Sequence, residues 1–184
     1  VERAKIDPKE VEDVYLGCAN PEGATGGNIP RQAALWADMP VSVAGGTINR
    51  FCSSGLNAIA LAARQIRDGA DIMVGGGVES MSRVPIGADG GAWVADPAVA
   101  YNTYFVPQGV GADLIGTLEG WHRADVDAFA LQSHQRAAAA RAEGRFAKSI
   151  VPVRDIAGLL LLDQDETIRA NASLEGMAKL DPSF

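Results

Sequence analysis

The fold of this chain is decided by residues 49–56, Asn-Arg-Phe-Cys-Ser-Ser-Gly-Leu, which join a strand pattern to a helix pattern. Upstream, residues 41–44 (Val-Ser-Val-Ala) predict a short strand, and downstream, residues 52–67 predict a buried helix that is apolar on nearly every face. A cysteine in the first turn of such a helix lies at the positive end of the helix dipole, beside unpaired backbone N–H groups. Both stabilise the thiolate, which is the nucleophilic form. Cys52 is therefore the candidate nucleophile.

Composition and charge exclude several classes of protein. The 184 residues are 47% hydrophobic and 21% charged, as in ordinary globular proteins, and the formal net charge of -7 argues against nucleic-acid binding. No apolar run approaches the about 20 residues of a membrane span. Two cysteines are too few for a disulfide framework and indicate a reducing cytoplasm. The first residues contain no signal-peptide core, and the lack of an initiator Met predicts a fragment or a processed product.

The first 82 residues alternate between strand and helix patterns. Pro8 follows Asp7 as at a capped helix start, and Gly69 is the expected C-terminal cap of the helix over 52–67. This alternation predicts a mostly parallel sheet covered by helices, an α/β fold. The remaining predicted elements are strands at residues 14–18 and 71–77, a loop at 23–27, and a helix at 29–36.

Residues 83–184 have a different character and form the second predicted domain. The segment 85–107 is rich in Gly, Ala, Asp and Pro and predicts a long irregular loop. Beyond it, the pattern predicts helices at 111–119 and at 125–141, the latter capped by His122, and two short strands at 150–153 and 158–162.

Residues 49–55 resemble the nucleophile motif of the thiolases, that is, of 3-ketoacyl-CoA thiolases and acetyl-CoA acetyltransferases. Five further segments agree with that family in order and spacing: 75–82, 127–130, 133–137, 165–169 and 174–184. Residues 105–109 and 159–163 look closest to bacterial thiolases of fatty-acid β-oxidation. The resemblance implies a thiolase-like fold, with residues 1–82 as an incomplete N-terminal half-domain and 83–184 as an inserted α+β loop domain that binds CoA and substrate.

The resemblance also implies an activity, an acyl transfer in two steps. The Cys52 thiolate would attack the 3-keto carbonyl of a 3-ketoacyl-CoA, acetyl-CoA would leave, and a second CoA would take the acyl group from Cys52. CoA would be a substrate, and no cofactor would be needed. By the same resemblance, the partners would be further copies in a homodimer or tetramer, and a hydratase/dehydrogenase subunit of a β-oxidation complex.

Several motifs that complete the site in thiolases do not occur in this chain. These are Asn-Glu-x-Phe-Ala, Gly-His-Pro and Cys-x-Gly-Gly, and the two histidines, His122 and His134, lie in the predicted insert. We therefore expect about half of a thiolase, inactive alone. Arg169 and Phe184 match CoA-contact positions of the family.

Each singled-out residue also has a plainer interpretation. Cys18 is expected to be buried in a strand, His122 to cap a helix, and His134 to lie on one face of a helix. An ion pair with Asp165 or Glu166 competes with CoA contact for Arg169. The aromatic residues Trp93, Tyr101, Tyr104 and Phe105 are more often packing than substrate recognition. The glycines at 75–77 lack the spacing of a dinucleotide loop and predict a tight turn at the end of a strand.

Three hypotheses follow: a degradative thiolase, a condensing enzyme of the same fold, and a non-catalytic thiolase-fold chain used for binding. The condensing enzyme would be a biosynthetic acetyl-CoA acetyltransferase or a ketoacyl synthase, and residues 78–82, Val-Glu-Ser-Met-Ser, argue against the synthase. The first hypothesis is preferred.

Overall fold

The structure, a computed structural model, describes residues 1–183. Its residues divide into two compact units, Val1–Phe105 and a second unit that begins at Val106. The division lies later in the chain than the change in composition near residue 83. None of the helices among the described residues is long and apolar enough to cross a membrane.

The first unit contains a parallel sheet of three strands, β1 (Asp13–Gly17), β2 (Ala44–Ile48) and β3 (Met73–Gly77). Their order in the sheet is β2-β1-β3, so β1 is central. The register pairs Gly17 with both Ile48 and Gly77, and the carboxyl ends of all three strands therefore meet at one edge. The predicted α/β architecture with a parallel sheet is confirmed.

Two helices cover opposite faces of this sheet, α1 (Ile29–Trp36) and α2 (Ser54–Arg67). Glycines in the strands allow these two helices to pack close to the sheet. A Cβ on Gly45 would lie 2.6 Å from the Arg31 backbone in α1, and a Cβ on Gly75 would lie 3.0 Å from the Ile59 Cα in α2. Gly45 pairs in register with Val14, and Gly75 pairs with the next residue of β1, Tyr15. Successive residues of a strand point to opposite faces, so the two glycines lie on opposite faces of the sheet.

The hydrophobic core lies on the α1 side of the sheet. Four buried residues form it: Val11, Val14, Ala34 and Val43. By contrast, α2 is buried along one stripe only, at Ser54, Ala58 and Ala62, and its outer face leaves Leu56 71% exposed. The prediction of a buried helix is therefore wrong for the outer face of α2, although that face carries apolar residues. An apolar composition did not indicate which faces are covered.

Two other sequence predictions need correction in this unit. The second strand is Ala44–Ile48 rather than 41–44, because Val43 N–H bonds to the Pro40 carbonyl in a turn and the ladder begins where Ala44 N–H bonds to the Glu12 carbonyl. The segment 85–107 is not wholly irregular. It contains two short helices, α3 (Ala92–Ala95) and α4 (Pro97–Asn102), the second capped by the Asp96 carboxylate.

The local signals at the helix ends were more dependable. The Asp7 side chain accepts a hydrogen bond from Lys9 N–H at the start of a short 3₁₀ helix, Pro8–Glu10. The predicted loop at 23–27 contains a 3₁₀ turn, Gly23–Thr25. After α2, Gly69 adopts a φ of +114° at the position where the helix was predicted to end.

The second unit contains α5 (Gln108–Glu119), α6 (Arg123–Ala142), β4 (Val153–Arg154), β5 (Leu160–Leu162) and α7 (Leu174–Ala178). The predicted cap is confirmed, because His122 is the N-cap residue of α6. Two short strands, β4 and β5, form as predicted and pair antiparallel, but β4 begins at Val153, the last residue of the predicted strand at 150–153. Arg123 in α6 donates to the Met177 and Leu180 carbonyls, which ties α7 to α6.

Candidate active site

The candidate site lies at the edge of the sheet where the three parallel strands end. The chain leaves β1 through Cys18, leaves β2 through residues 49–53, and leaves β3 through Val78 and Glu79. Residues with polar side chains from distant parts of the sequence are therefore neighbours at this edge. In open parallel sheets this is where ligands bind.

Residues 49–54 form a tight turn, here called the nucleophile turn, between β2 and α2. The Asn49 Oδ1 accepts from Phe51 N–H at 2.9 Å. The buried Ser54 hydroxyl accepts from Arg50 N–H at 2.8 Å and donates to the Phe51 carbonyl at 2.5 Å. These bonds hold Phe51 at a φ of +49°, a left-handed conformation that is strained for a bulky side chain.

Cys52 lies in this turn, is exposed, and forms no disulfide. Helix α2 begins at Ser54, so Cys52 precedes the helix by two residues and is not in its first turn as predicted. The turn is seated directly on the sheet, because a Cβ on Gly17 would lie 2.1 Å from the Ser54 backbone carbon. Only glycine at the end of β1 allows α2 to start this close to the strand.

Glu79 joins the ends of β3 and β1. Its carboxylate accepts from Ala19 N–H at 2.8 Å, from Asn20 N–H at 3.0 Å, and from the Cys18 thiol at 3.5 Å. Partial desolvation acts to raise the pKa of Glu79, but the two amide donors outweigh it and hold that pKa below its usual value. Glu79 is therefore a fixed carboxylate that clamps two strand ends.

Cys18 is fully buried, as predicted, and lies immediately after β1. Burial raises the pKa of its thiol, and the neighbouring Glu79 charge raises it further. A buried thiol of this kind is a poor nucleophile. The two cysteines thus differ in role, and only Cys52 is accessible.

The glycines at 75–77 belong to β3 itself and do not form the predicted turn. A Cβ on Gly77 would lie 3.1 Å from the Gly17 carbonyl oxygen and 3.2 Å from the Gly55 Cα, so these glycines provide close packing between strand and helix. The alternative of a dinucleotide-binding loop has no support in this geometry.

Three aromatic rings pack together, and one of them, Phe51, belongs to the nucleophile turn. Phe51 and Trp93 stack with ring centroids 5.6 Å apart, and Trp93 and Phe105 stack with centroids 5.1 Å apart. Tyr101 and Tyr104, from the same aromatic segment, are 83% and 91% exposed. The sequence suggested packing for these aromatic residues, and the structure shows it for Trp93 and Phe105.

The predicted CoA-contact residue Arg169 lies in the second unit and is exposed. Its backbone N–H donates to His134 Nδ1 at 3.2 Å, so His134 has a specific structural partner. Within the described residues, the Arg169 guanidinium forms no ion pair with Asp165 or Glu166. Thr167 instead donates to Asp165 through its hydroxyl and its N–H, which lowers the pKa of Asp165.

A cavity of about 380 Å³ lies between α6 and residues 165–168, with Ser133, His134 and Ile168 among its lining residues. Phe184, the other predicted contact residue, lies outside the described residues. Among the described residues, no group of three or more His, Cys, Asp or Glu side chains could hold a metal ion.

Sequence reasoning singled out Cys52 but missed three residues that organise the site around it. Ser54, Glu79 and Phe51 lie within the sequence motifs, but the sequence predicts no separate role for any of them. The signal for Ser54 was available, since a serine at a helix start favours hydrogen bonds to nearby backbone. Nothing local pointed to the partners of Glu79, which lie about sixty residues away along the chain.

The fold and the site together define a class: an α/β domain that presents an exposed cysteine at the carboxyl edge of a parallel sheet, just ahead of a helix. The family model described as "Thiolase, N-terminal domain" matches residues 1–184. The chain belongs to the thiolase family.

Similar proteins agree with this assignment. The chain is 39% identical to a 3-ketoacyl-CoA thiolase of Vibrio cholerae over 98% of its length and 47% of the relative's. It is 42% identical to a beta-ketoadipyl-CoA thiolase of Acinetobacter baylyi, over 93% of this chain and 48% of that protein. The chain thus spans about half the length of the curated relatives it matches.

Proposed function

We propose that the protein is an acyltransferase that cleaves 3-ketoacyl-CoA with a second CoA through an acyl group carried on Cys52. The Cys52 thiolate attacks C3, and the bond between C2 and C3 breaks. The C2 carbanion takes a proton and leaves as acetyl-CoA, and the acyl group stays as a thioester on Cys52. The thiolate of a second CoA then attacks that thioester and releases Cys52. No redox change occurs, so the chemistry calls for no redox cofactor.

The observation that carries this proposal is the exposed Cys52 in a strained turn at the carboxyl edge of the sheet. Strained backbone is retained at sites where the surrounding structure over-determines it. Here Asn49, Ser54 and the contact at Gly17 do so. The alternative of a non-catalytic binding chain gives no reason for holding an accessible thiol in such a turn.

The proton for the leaving carbanion needs an acid that neither Glu79 nor Cys18 supplies. Glu79 is held as a carboxylate by two amides, and Cys18 is buried. His134 already accepts a hydrogen bond from Arg169 in the second unit. We therefore assign to these 184 residues the acylation site alone and expect them to show no turnover by themselves.

The second unit is proposed to contribute to CoA binding through the exposed Arg169. A guanidinium with no carboxylate partner among the described residues is free to pair with phosphate oxygens. In the same proposal the whole protein acts in the cytoplasm as a homodimer or tetramer and degrades fatty acyl chains, with a hydratase/dehydrogenase subunit as a partner.

Acyl trapping on the full-length protein tests this function. The protein is mixed with acetoacetyl-CoA without free CoA, quenched in acid and digested with a protease. The masses of the peptides are then measured by mass spectrometry. We expect one acetyl group on the peptide that contains Cys52, and a loss of kcat by about 10³-fold or more in Cys52→Ser. The matched control is Cys18→Ser, which retains the exposed thiol.

Two results would contradict the assignment. One is an acyl group found on another residue while Cys52→Ser still turns over. The other is alkylation of Cys52 by iodoacetamide at neutral pH no faster than that of an ordinary thiol. Turnover of acetoacetyl-CoA by the pure 184-residue chain would contradict the restriction of its role to acylation.

A further inference from the structure

Phe51 and Phe105 both stack on Trp93, and these three rings are here called the aromatic ladder. Its interplanar angles are 25° between Phe51 and Trp93 and 12° between Trp93 and Phe105. The rings are thus nearly parallel, with centroid separations inside the range of favourable aromatic pairs. They come from three separate places in the first unit: the nucleophile turn, α3, and the residues after α4.

The ladder is fixed to the nucleophile. Phe51 directly precedes Cys52, so their Cα atoms are about 3.8 Å apart. The conformation of Phe51 is set by the Asn49 and Ser54 hydrogen bonds that also set the turn carrying Cys52. The backbone of Phe51 and the backbone of Cys52 are therefore held by the same turn.

The other end of the ladder is held by backbone contacts. Phe105 N–H donates to the Ala100 carbonyl at 2.9 Å, which folds the chain back after α4. Trp93 lies in α3, and the preceding Gly91 has a φ of +105°, a conformation that glycine adopts without strain. The segment between β3 and Phe105 is thus arranged so that it brings two rings to the turn.

The rings are stacked yet remain accessible. Phe51 is 54% exposed, Trp93 42% and Phe105 39%. The ladder therefore leaves open aromatic surface, and one of its rings belongs to the residue that directly precedes the exposed Cys52. Tyr101, from the same segment, is far more exposed and provides a natural comparison.

From this geometry we infer that the aromatic ladder is a specificity-determining surface that favours acyl groups with a flat aromatic ring next to the 3-keto carbon. The inference rests on the proposed function. When Cys52 attacks that carbon, the acyl group becomes bonded to Sγ and must lie against the turn. A ring there can continue the stacking series, whereas a short aliphatic chain gains only buried area.

The favoured substrate class is a 3-aryl-3-ketoacyl-CoA, for which 3-oxo-3-phenylpropionyl-CoA is the simplest probe. Attack at C3 and cleavage of the C2–C3 bond release acetyl-CoA and leave a benzoyl thioester on Cys52. CoA then takes the benzoyl group and regenerates the thiol. Atoms balance as in the aliphatic reaction, and no further reactant is needed.

The first test compares kcat/KM for 3-oxo-3-phenylpropionyl-CoA and acetoacetyl-CoA in the full-length protein. Trp93→Leu keeps an apolar side chain but removes the central ring. The ratio of aromatic to aliphatic kcat/KM is expected to fall about 2- to 13-fold, the value of one aromatic pair. Tyr101→Leu removes a ring from the same segment outside the ladder and is expected to leave the ratio within about 2-fold.

The second test does not depend on turnover. Cys52 is alkylated by phenacyl bromide, which carries a phenyl ketone, and by iodoacetamide, which carries no ring. The ratio of the two rates at the Cys52 peptide is expected to fall several-fold in Trp93→Leu and not in Tyr101→Leu. Mass analysis separates this peptide from that of the buried Cys18.

The outcomes separate this inference from the proposed function. If acetoacetyl-CoA is cleaved but Trp93→Leu changes neither ratio, the role of the ladder is refuted and thiolysis stands. If the full-length protein cleaves no 3-ketoacyl-CoA, the proposed function fails. The alkylation ratio then still shows whether the ladder recognises aromatic groups beside Cys52. An equal fall of these ratios in Tyr101→Leu would also refute the role of the ladder in specificity.

Discussion

Replacement of Ser54 by alanine should release the nucleophile turn. The Ser54 hydroxyl makes two hydrogen bonds within the turn, one from Arg50 N–H and one to the Phe51 carbonyl. At about 0.5–1.5 kcal/mol each, they contribute about 1–3 kcal/mol. A left-handed φ at a residue such as Phe51 costs a comparable amount, about 1–3 kcal/mol. The strain and its compensation are thus of the same size, so the loss of the hydroxyl lets Phe51 relax and carries Cys52 with it.

The expected result is a larger loss of rate than of stability. In Ser54→Ala we expect the free energy of unfolding to fall by no more than about 1–2 kcal/mol, because relaxation of Phe51 recovers part of the strain and because the hydrogen bond from Arg50 N–H is only partly buried. A nucleophile displaced by about 1 Å loses on the order of 10²-fold in rate. Urea unfolding measures the first quantity, and kcat/KM for acetoacetyl-CoA in the full-length protein measures the second.

The chain offers a matched control one residue away. Ser53 is exposed and its side chain makes no capping hydrogen bond at the start of α2, so Ser53→Ala should change stability by less than about 0.5 kcal/mol. Equal effects of the two serine variants would refute the reasoning. So would an undiminished rate effect of Ser54→Ala in a Phe51→Gly background, where glycine accepts the left-handed φ without strain.

Two more variants probe the edge of the sheet. Gly17→Ala would place a Cβ 2.1 Å from the Ser54 backbone, so we expect at least about 3 kcal/mol lower stability by urea unfolding; Gly116→Ala, whose Cβ would meet open space, should not lower it. Glu79 has a folded-state pKa below the unfolded value of about 4.3. The stability that ionised Glu79 contributes to the folded state is therefore present above the unfolded pKa and is lost as the pH falls through the folded pKa. Glu79→Gln should be less stable than wild type at pH 7 and nearly equal near pH 2, and a constant difference would refute the clamp.

Local sequence signals were sufficient where a helix end is made by its own residues. Helix α1 spans the predicted Ile29–Trp36. At the end of α2, Gly69 N–H bonds to the Ile66 carbonyl and Ala70 N–H bonds to the Gln65 carbonyl, as expected when glycine follows a helix. These bonds join residues within a few positions of each other, so the information is local.

The position of β2 could not be predicted in the same way. Its residues include Gly45 and Gly46, which carry no side chain and give no strand pattern. The strand forms there because glycine lets it pack closely against α1: a Cβ on Gly45 would lie 2.6 Å from the Arg31 backbone. That requirement depends on the packing of a helix that precedes the strand by several residues, and composition alone does not reveal it.

The same distinction applies to the site. Cys52 was identified because its motif is contiguous. The ring of Phe51 and the carboxylate of Glu79 acquire their partners only when separate segments meet, Trp93 in one case and Ala19 in the other. Long-range partners of this kind have no fixed spacing in the sequence.

The exposure of Cys52 and the support beneath it have a common origin in the sheet edge. The thiol of Cys52 could change its position if the structure beneath the turn consisted of side chains, because side chains can change rotamer. Here the start of α2, from which the Ser54 side chain bonds to the turn, rests on backbone, because Gly17 and Gly77 bring the ends of β1 and β3 against Ser54 and Gly55. Glu79 then joins those two strand ends through main-chain amides. The ring of Phe51, from the same turn, stacks on Trp93. Under the proposed function, a rigid support for Cys52 leaves the acyl group to be selected by the aromatic ladder.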